Sequence, residues 1–198
     1  MSFCAQARRK RAPGGFYSMS VLVTARLELR PVTLEVVVMV LEGRRRTDIE
    51  KVVGAEMPWA WPGRALLEQA FRASLEAIRA DPETRLWGDR LMITRGSNPR
   101  VVGSVVFHGR PDASGRCAVA YGVDEASQNQ GFATEALRAS LAWALAQPEC
   151  TVVEALTTEW HKGSARVLEK VGMKVSGTRS HETMGAMRVY ELWREGSV

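Results

Sequence analysis

The fold of this chain is decided in Tyr121-Gly122-Val123-Asp124-Glu125-Ala126-Ser127-Gln128-Asn129-Gln130-Gly131-Phe132-Ala133-Thr134-Glu135-Ala136. The segment ends a β-strand, crosses a short polar turn and opens a helix with Gly131 and Ala133 near its first turn. A helix N-terminus leaves about four backbone N–H groups unpaired and carries partial positive charge. Such a joint binds phosphate without a lysine. Glycine at 131 lets the backbone approach an anion, and alanine at 133 adds little bulk. Alone, Gln128-x-x-Gly131-x-Ala133 is equally a plain helix-starting turn.

Working outward, Cys117–Val123 reads as the strand entering the turn, and residues 129–147 as the helix leaving it. Ala133, Leu137, Leu141 and Ala144 form one face of that helix, and Pro148 ends it. Downstream, Thr151–Leu156 is a strand and 163–171 a short helix with Gly172 as its C-terminal cap. Lys174–Glu182 and Arg188–Arg194 are closing antiparallel strands. Upstream, Leu91–Thr94 and Val101–Phe107 flank Gly96-Ser97-Asn98-Pro99 as a hairpin. Leu27-Glu28-Leu29 is a strand closed by Pro31, and residues 33–53 are predicted helical. Met57–Gly63 is a loop. Leu67, Phe71, Leu75 and Ile78 mark a further amphipathic helix stopped at Asp81-Pro82. The order β-α-α-β-β-β-α-β-α-β-β mixes hairpins with one crossover. It predicts a single-domain α/β fold with a mixed, mostly antiparallel sheet, not a doubly wound Rossmann domain.

Composition narrows the function classes. The chain has 198 residues, 45% apolar and 25% charged, which suits one globular domain burying about 70% of its unfolded surface. Cys4, Cys117 and Cys150 show no metal-ligand spacing, and the three histidines form no H-x-x-x-H or H-E-x-x-H pattern. No metal is expected. Cys117 reads as a core residue rather than a nucleophile. The run Val36-Val37-Val38-Met39-Val40-Leu41 is far short of the roughly 20 residues of a membrane span. The first 20 residues lack the apolar core of a signal peptide. A soluble, cytoplasmic protein with no membrane partner is expected, as a monomer or homodimer. The net charge of +5 belongs almost wholly to Arg8, Arg9, Lys10 and Arg11. Residues 1–19 read as a disordered basic tail, with Met19 open as an alternative start, and 20–198 as the domain. The folded part is nearly neutral, which argues against a nucleic-acid partner.

The sequence resembles the GCN5-related N-acetyltransferase (GNAT) family, in its ribosomal-protein N-terminal acetyltransferase-like branch. Thr24-Ala25-Arg26-Leu27-Glu28-Leu29-Arg30-Pro31 is similar to that branch's first strand. Tyr121–Ala136 is similar to its acyl-CoA signature, Q/R-x-x-G-x-G/A followed by T-E-A. Ser164-Ala165-Arg166-Val167-Leu168-Glu169-Lys170-Val171-Gly172-Met173 resembles its S-x-x-V-L-E-K-x-G-F helix, and Val189-Tyr190-Glu191-Leu192 its closing strand. The elements run in family order from residue 20 to 194.

The resemblance implies acetyl-CoA as co-substrate and a sheet splayed between Cys117–Val123 and Thr151–Leu156. It implies pantetheine amides pairing with main chain near Tyr121 and Val123. The pyrophosphate would rest on N–H groups of Gln128, Asn129, Gln130, Gly131, Phe132, Ala133 and Thr134, and the thioester oxygen near the Val123 N–H. Phe132 faces cofactor or core. Ser164 aligns with a serine suited to protonate the leaving thiolate, or to serve as a helix-start contact. The family asparagine three residues earlier is His161 here, open as a pantetheine donor, a base or an exposed loop residue. The strand glutamate of many relatives is Ala118, so the base stays unassigned among His108, His161, Glu154 and Glu56. Trp59 and Trp61 either wall the acceptor site or plug the first helices. The implied activity is direct acetyl transfer to a primary amine, whether a protein N-terminus or a small molecule. The alternative is an acyl-CoA-binding regulatory module with little turnover.

Overall fold

The computed structural model describes residues 21–58, 75 and 79–196. The basic tail, Trp59, Trp61 and nearly all of the helix expected at 67–78 lie outside the described residues. Among the described residues, eight strands form one sheet: β1 (Leu22–Val23), β2 (Leu27–Pro31), β3 (Asp89–Thr94), β4 (Val101–Phe107), β5 (Arg116–Val123), β6 (Val152–Thr158), β7 (Lys174–His181) and β8 (Gly185–Trp193). Their spatial order is β1-β2-β3-β4-β5-β6-β8-β7. Every pairing is antiparallel except β5 with β6. The expected mixed α/β sheet is therefore the sheet observed.

Side-chain alternation along the strands divides the core in two. Leu91, Ile93 and Val101 point to one face, where α1 (Leu34–Leu41) and α2 (Arg46–Val53) cover them with Val36, Val37, Ile49 and Val53. Met92 and Val102 point to the other, into the larger core with Leu27, Leu29, Val105, Phe107, Cys117 and Val119. Helix α3 (Phe132–Leu145) lies there, burying Ala136, Leu137, Leu141 and Ala144, the predicted face with Ala136 in place of Ala133. Its C-terminal half is fixed by Trp143, whose ring sits 4.8 Å from Trp87 and 5.7 Å from Phe107. The Arg90 guanidinium stacks 4.4 Å from the same indole.

One expected helix is two. The apolar rhythm predicts a continuous helix over 33–53, but the chain turns between α1 and α2, where Gly43 adopts φ +69°. Hydrophobic periodicity bridges such a break because both helices bury the same valine-rich face against one sheet. The left-handed glycine ends the first helix even so.

The sheet divides at β5 and β6. Only Arg116–Val152, Cys117–Val153 and Ala118–Glu154 are in register. Beyond Ala118, β5 stays with β4 through Val119–Val123, while β6 stays with β8 up to Thr158. The base of this fork is stitched by charge. Glu154 is 5% exposed, accepts from Arg116 at 3.2 Å and takes both Arg179 nitrogens at 2.9 and 3.1 Å. One carboxylate thereby links β5, β6 and β7. Hydrogen bonds from Arg179, opposed by burial and reinforced by both positive charges, hold the Glu154 carboxyl below the usual carboxylate range.

Removing it as Glu154→Ala is expected to cost about 2 kcal/mol, less than a fully buried pair because Arg179 is half-exposed to solvent screening. A depressed carboxyl contributes stability above its unfolded pKa of about 4.3 and loses it as pH falls through the lower folded value. Thermal melts from pH 6 down to 3 should therefore show the wild type losing its margin over Glu154→Gln only on the acid side.

Candidate active site

Where β5 leaves β6, strand alternation exposes main chain. Asp124 N–H donates to Val102 O at 2.9 Å and His108 N–H to Ala118 O at 3.0 Å. The even-numbered residues of β5 thus bond to β4, and beyond the seam with β6, Tyr121 and Val123 turn their N–H and C=O groups into the gap. The Val123 carbonyl there accepts the Gln128 side-chain amide at 3.2 Å.

The turn after β5 provides the second wall. Ser127 and Gln128 close it with N–H bonds to Asp124 O and Glu125 O at 2.8 and 3.2 Å. Asn129 at φ +61° and Gly131 at φ +83° then swing the chain into α3. Among the described residues, the N–H groups of Asn129 through Thr134 donate to no protein acceptor. Phe132, Ala133 and Thr134 are the unpaired donors of the first helical turn, Asn129, Gln130 and Gly131 add three before it, and the six form a cradle for an anion. Gln128 is the exception to the expected run, because its N–H is spent inside the turn.

Glu135 fixes this cradle. Its carboxylate accepts from Thr24 Oγ1 at 2.6 Å, Arg26 N at 2.8 Å and Arg26 Nε at 2.7 Å. Burial opposes ionisation, yet these bonds and the guanidinium charge hold the carboxyl below its ordinary range. Arg26 also donates to Gln130 O at 2.9 Å and stacks 4.7 Å from the Phe132 ring. A Cβ on Gly131 would stand 3.4 Å from Arg26 Nη2. The turn between β1 and β2 thus braces the loop that faces the cleft.

The third wall is α4 (Lys162–Lys170). His161 caps it: its Nδ1 accepts the Ser164 N–H at 3.1 Å. The exposed Trp160 indole stacks on the same imidazole at 5.7 Å. An accepting Nδ1 places the proton of the neutral ring on Nε2, which makes that nitrogen a donor. From β5, the Tyr121 hydroxyl reaches Ser164 Oγ at 2.9 Å and Ser164 O at 3.0 Å.

Together these walls enclose a cleft of about 480 Å³. It brings together Tyr121, Val123, Gln128, Asn129, Gly131, Phe132, Ala133, Thr134, His161 and Ser164. Gln130, expected at the site, does not line it: its carbonyl accepts from Arg26 and its side-chain amide turns back to Ala126 O at 3.4 Å. Phe132 lines the cleft and is also buried in the core. Three candidate bases are elsewhere: Glu154 is locked between two arginines, Glu56 lies 3.8 Å from Arg100, and exposed His108 follows β4. Sequence reasoning misses Arg166 and Lys170, cations four apart on α4 that also line the cleft. Their i, i+4 spacing is the available signal.

The cap gives a direct test. His161→Ala should lower stability by about 1 kcal/mol, whereas His161→Asn, a strong capping residue, should keep it. Chemical denaturation of the three proteins measures the difference.

The geometry can be set beside known proteins. The family model of the acetyltransferase (GNAT) domain matches residues 26–174. A comparison with curated protein sequences found no match. Among solved structures, a GNAT-family acetyltransferase from Bacillus anthracis superposes with a TM-score of 0.61 at 20% identity, over 89% of this chain and 99% of that one. The ribosomal-protein-S5-alanine acetyltransferase from Vibrio fischeri gives 0.64 at 12%, over 89% and 98%. Mycobacterium smegmatis RimJ in complex with CoA-disulfide gives 0.57 at 16%, over 85% and 82%. The fold is thus one shared with ribosomal-protein acetyltransferases. The forked sheet and its anion cradle lie within the matched span, and this chain belongs to the GNAT family of acetyltransferases, enzymes that use acetyl-CoA.

Proposed function

We propose that this protein transfers the acetyl group of acetyl-CoA to a primary amine by direct attack within a ternary complex. The observation that carries this reading is the run of free N–H donors from Asn129 to Thr134 at the mouth of a cleft between the open end of β5 and α4. A pyrophosphate fits the cradle, being doubly charged and able to accept several N–H bonds at once. Arg166 and Lys170 add positive charge along the same cleft.

From the cradle the pantetheine arm runs along the open edge of β5, pairing its amides with the main chain of Val123 and Tyr121 as an added strand would. The Gln128 amide now on Val123 O yields to the arm. His161 Nε2–H is free to donate to a pantetheine carbonyl. An N–H on the β5 edge then meets the thioester oxygen, where such a donor is worth about 2.7–4 kcal/mol to the transition state.

Ser164 Oγ–H is the proton donor for the departing thiolate. A thiol with a pKa near 8.5 leaves readily, so this assistance is modest. Among the described residues, no carboxylate lines the cleft. The acceptor nitrogen therefore enters neutral and sheds its surplus proton to water. Amines with low pKa values, such as the α-amino group of a peptide at roughly 7.7–8.0, are better acceptors on this basis than a lysine side chain at about 10.4. That ordering favours a peptide N-terminus.

Gly131→Glu places a negative side chain at the cradle, in a left-handed backbone position that already disfavours it. It should abolish acetyl-CoA binding in a calorimetric titration, and unchanged affinity would refute the site. Ser164→Ala should slow amine-dependent thiol release about tenfold or more while leaving acetyl-CoA affinity near wild type. A loss of affinity alone would reduce Ser164 to a contact.

A further inference from the structure

Ser164 is gripped at three points. Its amide donates to His161 Nδ1, its carbonyl lies 3.0 Å from the Tyr121 hydroxyl, and its own hydroxyl lies 2.9 Å from that same phenol. Tyr121 comes from β5 and Ser164 from α4, so the contact crosses the cleft from one side of the fork to the other.

Proton counting gives this contact a consequence. A phenol carries one proton, and Ser164 offers it two acceptors at nearly equal distance. When Tyr121 donates to the Ser164 carbonyl, the serine proton takes the phenol oxygen as its acceptor and turns away from the open cleft. When Tyr121 donates to Ser164 Oγ, the serine proton is released to point into the cleft. The two states interconvert by rotating two O–H bonds, without moving a heavy atom. Among the described residues no other side chain bonds to Ser164 Oγ. Burial, only partly offset by the Ser164 bond, keeps the phenol above its ordinary range. Tyr121 thus remains protonated at neutral pH.

We propose that Tyr121 is a positioning residue that acts through Ser164, aiming the serine proton at the sulfur of the departing thiolate by moving its own hydrogen bond from the Ser164 carbonyl to Ser164 Oγ. The proposal rests on the acetyl transfer reading above. As the carbon–nitrogen bond forms, the carbon–sulfur bond breaks and its electron pair leaves with sulfur. Ser164 gives its proton to sulfur and recovers one from solvent, the acceptor nitrogen releases its surplus proton to solvent, and Tyr121 neither gains nor loses one.

The test needs no acceptor. A hydroxyl aimed at sulfur favours the thiolate of bound CoA, which can be followed by its ultraviolet absorbance against pH. Wild type, Tyr121→Phe, Ser164→Ala and the double variant are compared, with desulfo-CoA affinity measured for each by calorimetry. Bound CoA should carry about tenfold more thiolate at a fixed pH on the wild type than free in solution, equivalent to one unit of pKa. Tyr121→Phe should lose most of that gain, Ser164→Ala all of it, and the double variant should match Ser164→Ala because both act through one proton. Desulfo-CoA has no thiol for the serine proton to reach, so its affinity should stay within about twofold throughout, well under the effect of one pKa unit. A Tyr121→Phe protein that ionises CoA like wild type would overturn the proposal. So would a bound thiol titrating as it does in solution, or a double variant showing the sum of two separate losses. Equal losses of CoA and desulfo-CoA affinity in Tyr121→Phe would make Tyr121 a structural contact instead. Failure of wild type to bind either ligand would sink the acetyl-CoA site itself, a result distinct from all of these.

Discussion

Everything at the site depends on β5 and β6 pairing for three residues and then parting. Beyond the seam each strand keeps its outer neighbour, β5 with β4 and β6 with β8. The parting therefore costs only the hydrogen bonds of the β5–β6 seam beyond Ala118. Those unmade bonds are the resource the site uses. A strand edge in the middle of a sheet is shielded from other chains yet open to a ligand with its own amides.

Two carboxylates hold the fork in shape from opposite ends. Glu154 closes its base by joining β5 and β7 across β6. Glu135 secures its mouth by fastening the first turn of α3 to the segment before β2. Between them, the thiols of Cys117 and Cys150 sit in packing contact, Sγ to Sγ 3.7 Å, in the core. The close approach of β5 and β6 below the fork also requires Gly115, where a Cβ would fall 2.4 Å from Thr151 Oγ1. The base is thus tightly packed and the mouth is open, as a cleft that admits a long ligand must be.

The α4 side of the cleft is built by short-range means. His161 is local to Ser164 and caps the helix that carries it, so its ring orientation follows from the helix start. Its capping bond engages the Nδ1 lone pair with the Ser164 N–H. Glu154 is committed to arginines, and Glu56 and His108 stand away from the cleft.

Much of this is legible in the chain. The strand–turn–helix at Tyr121–Ala136, the face of α3 and the order of strands follow from local periodicity and from glycines whose conformation no other residue adopts cheaply. The break at Gly43 is not, since two helices burying one valine-rich face leave a single apolar rhythm in the sequence. Nor is the role of Glu135: the Thr-Glu-Ala pattern marks the residue, but its partners Thr24 and Arg26 lie more than a hundred residues earlier. The same holds for Tyr121 and Ser164, 43 residues apart, and for Glu154 with Arg116 and Arg179. By itself the sequence determined which segments become strands and helices and where an anion cradle forms, because those depend on neighbours within a few residues. Only the tertiary structure decided which hydroxyl meets which, which carboxylate is taken and which histidine lone pair is engaged. Hydrogen bonds and ion pairs act over about 3 Å, and at that range only the folded chain determines what is near.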